Sequence, residues 1–331
     1  MKSIFFILLS AAFLLSCRND DEELIPPTGL SNDAIYYRDE MRKFVISIAD
    51  YGRAADADFI VIPQNGQELA TLNGEPAGQL ATDYMNTING QGREELFYGY
   101  DNNDDSPTPV DEQQGWNNLL LRMRDEGKTI MITDYCTTQN FVDDSYAQND
   151  AHGYISFAAD ERDLFSIPVY PNPVHNENNG VITSLDEAQN FLYIINTQEY
   201  LTKQDFINAV AATNYDLVLM DAFFDEEEFT PQEINQLRQK TNGGVRLVIA
   251  YMSIGEAEDY RPYWEPDWSF NPPDWLGELN PDWPGNYKVH YWDENWQSII
   301  FGNDTSYMKN ILDAGFDGVY LDIIDAFEYW E

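Results

Sequence analysis

The stretch Met308-Lys-Asn-Ile-Leu-Asp-Ala-Gly-Phe-Asp-Gly-Val-Tyr-Leu-Asp322 decides the fold. Met308, Ile311 and Leu312 recur at the spacing that lays apolar side chains on one face of a helix, and Gly315 suits the left-handed backbone that ends one. Gly318-Val-Tyr-Leu321 then reads as a short buried strand running straight into an acid, Asp322. Helix, stop, strand and acid form one unit of a parallel sheet with crossover helices. Outward from it, similar strands are expected at Phe59–Ile62, Thr129–Thr133, Tyr154–Phe157, Phe191–Ile195, Leu217–Met220 and Leu247–Tyr251, with weaker ones at Glu95–Tyr98 and Tyr287–Tyr291. The expected class is α/β, a (β/α)8 TIM-type barrel forming a single domain over residues 35–331. Nine candidates for eight strands leave one as an edge addition or a loop.

Helices fit between the strands. Met41, Phe44, Val45, Ile48 and Tyr51 form one apolar stripe, and Thr230-Pro231-Gln232-Glu233 starts a helix that Gly243-Gly244 is expected to stop. Asp101–Gln114 and Pro168–Gly180 read as polar loops. The segment Tyr260–Trp296 is too aromatic for a solvated linker, since it holds Trp264, Trp268, Trp275, Trp283, Trp292 and Trp296.

The start of the chain reads as an export signal. Met1-Lys2-Ser3 precedes an apolar run from Ile4 to Leu15, too short for a permanent membrane span, and Leu14-Leu-Ser-Cys17 resembles the motif at which bacterial lipoproteins are lipidated. Residues 1–16 would be removed, Cys17 would carry the lipid, and residues 17–34, with Asp20-Asp-Glu-Glu23 and Pro26-Pro27, would form an acidic tether. The expected location is the cell envelope, anchored by lipid to the outer membrane and facing its outer surface, with that lipid the sole membrane contact. A formal charge of −40 excludes nucleic acid as a partner and favours a cationic ligand or plain solubility. With Cys17 lipidated, Cys136 has no disulfide partner, and it reads as a buried apolar residue because nothing pairs it with a histidine.

Chemistry is expected at the carboxyl ends of the strands, which face one mouth in a parallel barrel. Acids recur there: Asp134 follows Thr133, Asp221 follows Met220, Glu256 and Glu258 follow the strand ending near Tyr251, and Asp322 follows Leu321. Phe59–Ile62 runs instead into Pro63-Gln-Asn-Gly66, two amides at the same rim. Any one such acid can simply cap the next helix. Several around one pocket, with aromatic surfaces such as Trp292 nearby, suit glycosidic bond cleavage, which needs a protonated acid and an ionised carboxylate. The tryptophans can equally be a lid's own packing core. No cofactor or metal is expected, because His152, His175 and His290 lack ligand spacing, although Asp101–Asp105 leaves a calcium loop open.

Ala250-Tyr-Met-Ser-Ile-Gly-Glu-Ala-Glu-Asp-Tyr-Arg261, Gly315-Phe-Asp-Gly-Val-Tyr-Leu-Asp322 and Ile62-Pro-Gln-Asn-Gly66 together resemble glycoside hydrolase family 114, the endo-α-1,4-polygalactosaminidase-like barrels. The family's order places the Pro-Gln-Asn-Gly strand last, whereas here it comes first. The resemblance therefore implies a circular permutant with Glu331 close to the helix near Tyr36. It further implies a catalytic pair of Asp322, as nucleophile or base, and Glu94, as acid, the latter in Ile88-Asn-Gly-Gln-Gly-Arg-Glu-Glu-Leu-Phe-Tyr98. Glu95 stays open beside Glu94, since strand neighbours point to opposite faces. Asp221, Glu256, Glu258, Asn65, Asp134, Tyr135 and Trp292 would shape the pocket. The expected protein is a surface lipoprotein hydrolysing a polysaccharide or oligosaccharide, with a galactosamine polymer implied. The alternatives are a non-catalytic glycan-binding lipoprotein on the same barrel and a scaffold protein.

Overall fold

Eight parallel strands organise residues 31–331, the part of the chain that the computed structural model describes. Cys17, the expected signal and most of the tether lie outside the described residues. The strands are β1 (Ile60–Pro63), β2 (Gly90–Glu94), β3 (Thr129–Tyr135), β4 (Ile155–Ala159), β5 (Leu192–Ile194), β6 (Leu217–Asp221), β7 (Leu247–Ser253) and β8 (Gly318–Asp322). They form a five-stranded sheet in the order β1-β8-β7-β6-β5 and a three-stranded sheet β2-β3-β4. At one junction Gln64 bridges Gly92 in parallel, and the Asn65 N–H donates to the Gly92 carbonyl at 2.9 Å. At the other, the Leu164 carbonyl beyond β4 accepts the N–H groups of Ile195 at 3.0 Å and Asn196 at 3.2 Å beyond β5.

The apolar strand runs are buried as read, and two of the nine candidates differ. The strand before residue 98 is Gly90–Glu94, not Glu95–Tyr98. Its composition gives no apolar signal because the space beside Gly92 is filled by Tyr320 of β8: a Cβ at Gly92 would overlap the Tyr320 hydroxyl. Tyr287–Tyr291 contributes instead to an antiparallel outer sheet of Glu256–Glu258, Asn286–Val289 and Leu276–Leu279.

The first helix, Asn32–Ala55, is capped by the Ser31 hydroxyl, which accepts the Ala34 N–H at 3.0 Å. Helix therefore begins inside the expected tether, and Met41, Phe44, Val45 and Ile48 bury their stripe completely. The helix Pro231–Leu237 carries the expected N-terminal capping box of Thr230 and Glu233. It ends well before Gly243-Gly244, because Gln239 turns into a bridge with Val245. Helix Val110–Asp125 starts within the expected Asp101–Gln114 loop. The two ends of the described chain meet: the Arg38 guanidinium grips the Glu331 carboxylate at 2.5 and 3.0 Å.

Gly92→Ala should lower stability by about 1–3 kcal/mol through overpacking against Tyr320. Chemical denaturation checks this, and Gly92→Ala combined with Tyr320→Phe should recover part of the loss.

Candidate active site

Because all eight strands run the same way, their carboxyl ends share one rim, and a cleft of about 510 Å3 opens there. Every strand or the loop after it supplies a wall residue: Gln64 from β1, Glu94 from β2, Tyr135 from β3, Arg162 beyond β4, Tyr193 from β5, Asp221 from β6, Tyr251 from β7 and Asp322 from β8. Three neighbouring strands end alike. Asn65, Glu95 and Ile323, each directly after a wall residue, have φ of 58°, 57° and 56°. This left-handed turn takes the chain sharply out of the strand, so that Gln64, Glu94 and Asp322 stand as the last side chains on the inner face. For the β-branched Ile323 the conformation is strained by roughly 1–3 kcal/mol. Its N–H donates to the Asp322 carboxylate at 2.8 Å. Gly255 leaves room for it, since a Cβ there would overlap the Ile323 carbonyl.

Each of the two central carboxyls rests on a tyrosine. The Tyr135 hydroxyl donates to Glu94 Oε1 at 2.5 Å, and the Tyr251 hydroxyl donates to Asp322 Oδ2 at 2.5 Å. Tyr193, between them, donates to Gln64 Oε1 at 3.0 Å. Burial first, then neighbouring carboxylates, pushes the hydroxyls of Tyr135, Tyr193 and Tyr251 far up, so they remain donors. Asp322 is pushed up to about 8, by burial and then by the charge of Glu94, against the opposing hydrogen bond from Tyr251. Burial likewise raises Glu94, with Tyr135 opposing and Glu95 adding to the rise. The charge of Glu94 thus reaches Asp322 and favours its protonated form.

Two cations brace the walls. The Arg261 guanidinium spans Asp221 at 2.7 and 2.9 Å and Glu258 at 2.6 Å. Burial raises the Asp221 pKa, and Arg261 opposes it. Arg162 lies over the Tyr135 ring at 4.3 Å and pairs with Glu95 at 2.6 Å and Asp104 at 3.1 Å.

Residues 183–330 match the family described as Glycoside-hydrolase family GH114. This part of the chain is similar to that family. The chain is 40% identical over 162 residues to an uncharacterized protein of Methanocaldococcus jannaschii, covering 48% of this chain and 43% of the relative. It is 43% identical over 124 residues to an uncharacterized protein of Thermotoga maritima, covering 37% of this chain and 36% of the relative. A Deinococcus radiodurans protein, also uncharacterized, is 42% identical over 125 residues, 38% of each chain. The chain thus spans about two fifths of the length of the curated relatives it matches.

Within the GH114 segment, Asp322, Asp221 and Glu258 line the cleft, and Glu94 and Tyr135 join them from the part before it. Glu95 lines the cleft too. Strand alternation does not separate it from Glu94, because its left-handed backbone has already ended the strand. Four residues assigned to the pocket lie outside it. Asn65 sits behind Glu94, its side-chain oxygen accepting the Glu94 N–H at 3.3 Å. Asp134 points to the opposite face from Tyr135 and is fully buried, accepting from Phe97 N at 2.9 Å, Tyr98 N at 3.2 Å and Ser145 Oγ at 2.6 Å. Glu256 is sealed under the outer sheet by Asn280, Asn286 and Tyr329. Trp292 packs against Tyr37, His290 and Trp330, with centroids 4.9, 5.0 and 5.3 Å away.

In the Asp101–Asp105 loop, the Asp105 carboxylate is taken by the N–H and hydroxyl groups of Thr137 and Thr138. Cys136 is buried, its thiol pushed far up by burial. Sequence reasoning assigned no role to Tyr193, Tyr251, Arg162 or Arg261. Tyr251 and Arg261 lie inside the quoted GH114 motif, and Arg261 is its one cation, which is a signal that it must face the acids.

The folded state holds the Asp322 proton to about pH 8, whereas the unfolded chain releases it near the ordinary value of 3.8. That contribution to stability is therefore complete below about pH 4 and is lost as pH rises towards 8. The Tm of the wild type should fall over this range, and Asp322→Asn should flatten the fall. Thermal melts at half-unit pH steps check it, with parallel curves contrary to the expectation.

Proposed function

We propose that the protein is a glycoside hydrolase that cleaves a polysaccharide through Asp322 and Glu94. The observation that carries this is the pairing of two raised, tyrosine-supported carboxyls in one solvent-open cleft of a chain whose C-terminal part is similar to GH114. Glycoside cleavage uses such a pair with one proton between them. In the reactive form that proton sits on Glu94 rather than on Asp322, and Glu94 delivers it to the leaving oxygen. Its protonation removes the charge that lifts Asp322, and the ionised Asp322, with Tyr251 and the Ile323 N–H on its oxygens, acts as nucleophile or base.

The cleft wall holds six carboxyls, Glu94, Glu95, Asp163, Asp221, Glu258 and Asp322, against the guanidiniums of Arg162 and Arg261. With a chain charge of −40, this favours a cationic glycan such as an α-1,4-linked galactosamine polymer. The same reading makes the eight strands a closed barrel and the chain a circular permutant. Supporting it are hydrogen bonds across both sheet junctions, a family match beginning at residue 183, and the contact between Arg38 and Glu331. It also makes Cys17 the lipid anchor in the cell envelope, at the outer surface.

Purified protein incubated with partly deacetylated galactosaminogalactan should release reducing ends. Asp322→Asn and Glu94→Gln should each lower that rate at least about 10²–10⁴-fold without loss of thermal stability at pH 7. Full activity in either variant removes that residue from the pair; saccharide binding without release by the wild type indicates a non-catalytic glycan-binding protein. Cys17→Ser should abolish incorporation of labelled palmitate in cells, and unchanged labelling would rule out the anchor.

A further inference from the structure

We infer that Trp283 is a stacking platform for a sugar unit lying beyond the bond that is cleaved, which makes the cleft a binding site for a chain of several sugars. The inference rests on the glycoside-hydrolase reading. Most tryptophans of the Tyr260–Trp296 segment pack on one another: Trp264 on Trp268 at 5.2 Å, Trp268 on Trp275 at 5.0 Å and Trp275 on Trp296 at 5.1 Å. Trp283 stands apart from this ladder. It is 55% exposed and lines the same cleft as Asp322 and Glu94.

A half-exposed tryptophan ring on the wall of a cleft that also holds convergent polar groups offers a ligand an apolar face. The outer segment also lines the cleft with Pro284 beside Trp283 and with the polar Glu258, Tyr260 and Asn286. A pyranose offers the matching surface, a flat face of C–H groups edged by hydroxyl or amino groups. Trp283 comes from the turn of the outer sheet rather than from a strand end, so the sugar it holds is a different one from the sugar at the carboxyl pair.

The turn is fixed before any ligand arrives. Within it the Asn280 N–H donates to the Asn286 carbonyl at 2.7 Å, the Asn286 N–H to the Trp283 carbonyl at 3.0 Å, and the Asp282 N–H to Asn280 Oδ1 at 3.0 Å. Both ends are pinned to buried Glu256, which accepts from Asn280 Nδ2 at 2.8 Å and Asn286 Nδ2 at 3.2 Å. Glu256 is thus a positioning residue for the platform, and a ring held this way loses little freedom on binding.

The test uses full-length Asp322→Asn protein, in which bound chains stay intact, and calorimetric titration with α-1,4-linked galactosamine oligomers from dimer to octamer. Adding Trp283→Ala should weaken binding of the longer oligomers about tenfold, with the dimer unchanged. Trp283→Phe should restore most of the affinity. Unchanged affinity at every length in Trp283→Ala, or equal weakening at every length, would overturn the platform while leaving the hydrolase reading intact. If the Asp322→Asn parent binds no oligomer, the platform and the galactosamine reading fail together.

Discussion

Carboxyl groups withdrawn from water ionise only at a cost, and the rim of this protein holds two of them, Asp322 and Glu94, in one cleft. Asp322 and Glu94 come from strands separated by β1, and each receives a tyrosine hydroxyl on one oxygen. The left-handed residues after them take the backbone away at once, leaving the two acids as the final inward groups of their strands. Three of the four other acids on the wall are ion-paired, Asp221 and Glu258 with Arg261 and Glu95 with Arg162. The acidic wall is therefore ordered into two tyrosine-supported acids and two braced flanks.

Much of this was legible in the sequence because strand ends announce themselves. Asp221 and Asp322 stand directly after apolar runs, and both reach the cleft. Asp134 also stands at a strand end and misses it, because side chains alternate along a strand and Tyr135 takes the inner face. Position after a strand gives the level of a residue, whereas the face depends on register, which needs the neighbouring strand. Glu256 failed for a different reason: it lies on the outer sheet, where Asn280, Asn286 and Tyr329 from later in the chain enclose its carboxylate, and no local pattern foretells them. The Gly90–Glu94 strand was invisible to apolar periodicity because a larger neighbour, Tyr320, occupies the space its side chains would fill.

The tryptophan-rich segment joins the two scales. Its buried rings are a core for the outer sheet, and that sheet in turn carries the one tryptophan that faces the cleft. The packing expected of this segment is met by the buried rings, and the hairpin turn leaves Trp283 outside them at the cleft. Glu256 links this sheet to Tyr329 through a hydrogen bond of 2.9 Å, so the hairpin turn and the segment after Asp322 share an anchor.

The coupling between the two acids is open to direct observation by carbon NMR of protein labelled at aspartate and glutamate carboxyls, titrated from pH 3 to 10. The expected result is an Asp322 transition near 8 in the wild type that moves down when Glu94 is replaced by glutamine. An Asp322 transition near the ordinary carboxyl value of 3.8, indifferent to the residue at position 94, would contradict a shared proton and with it the paired-acid account.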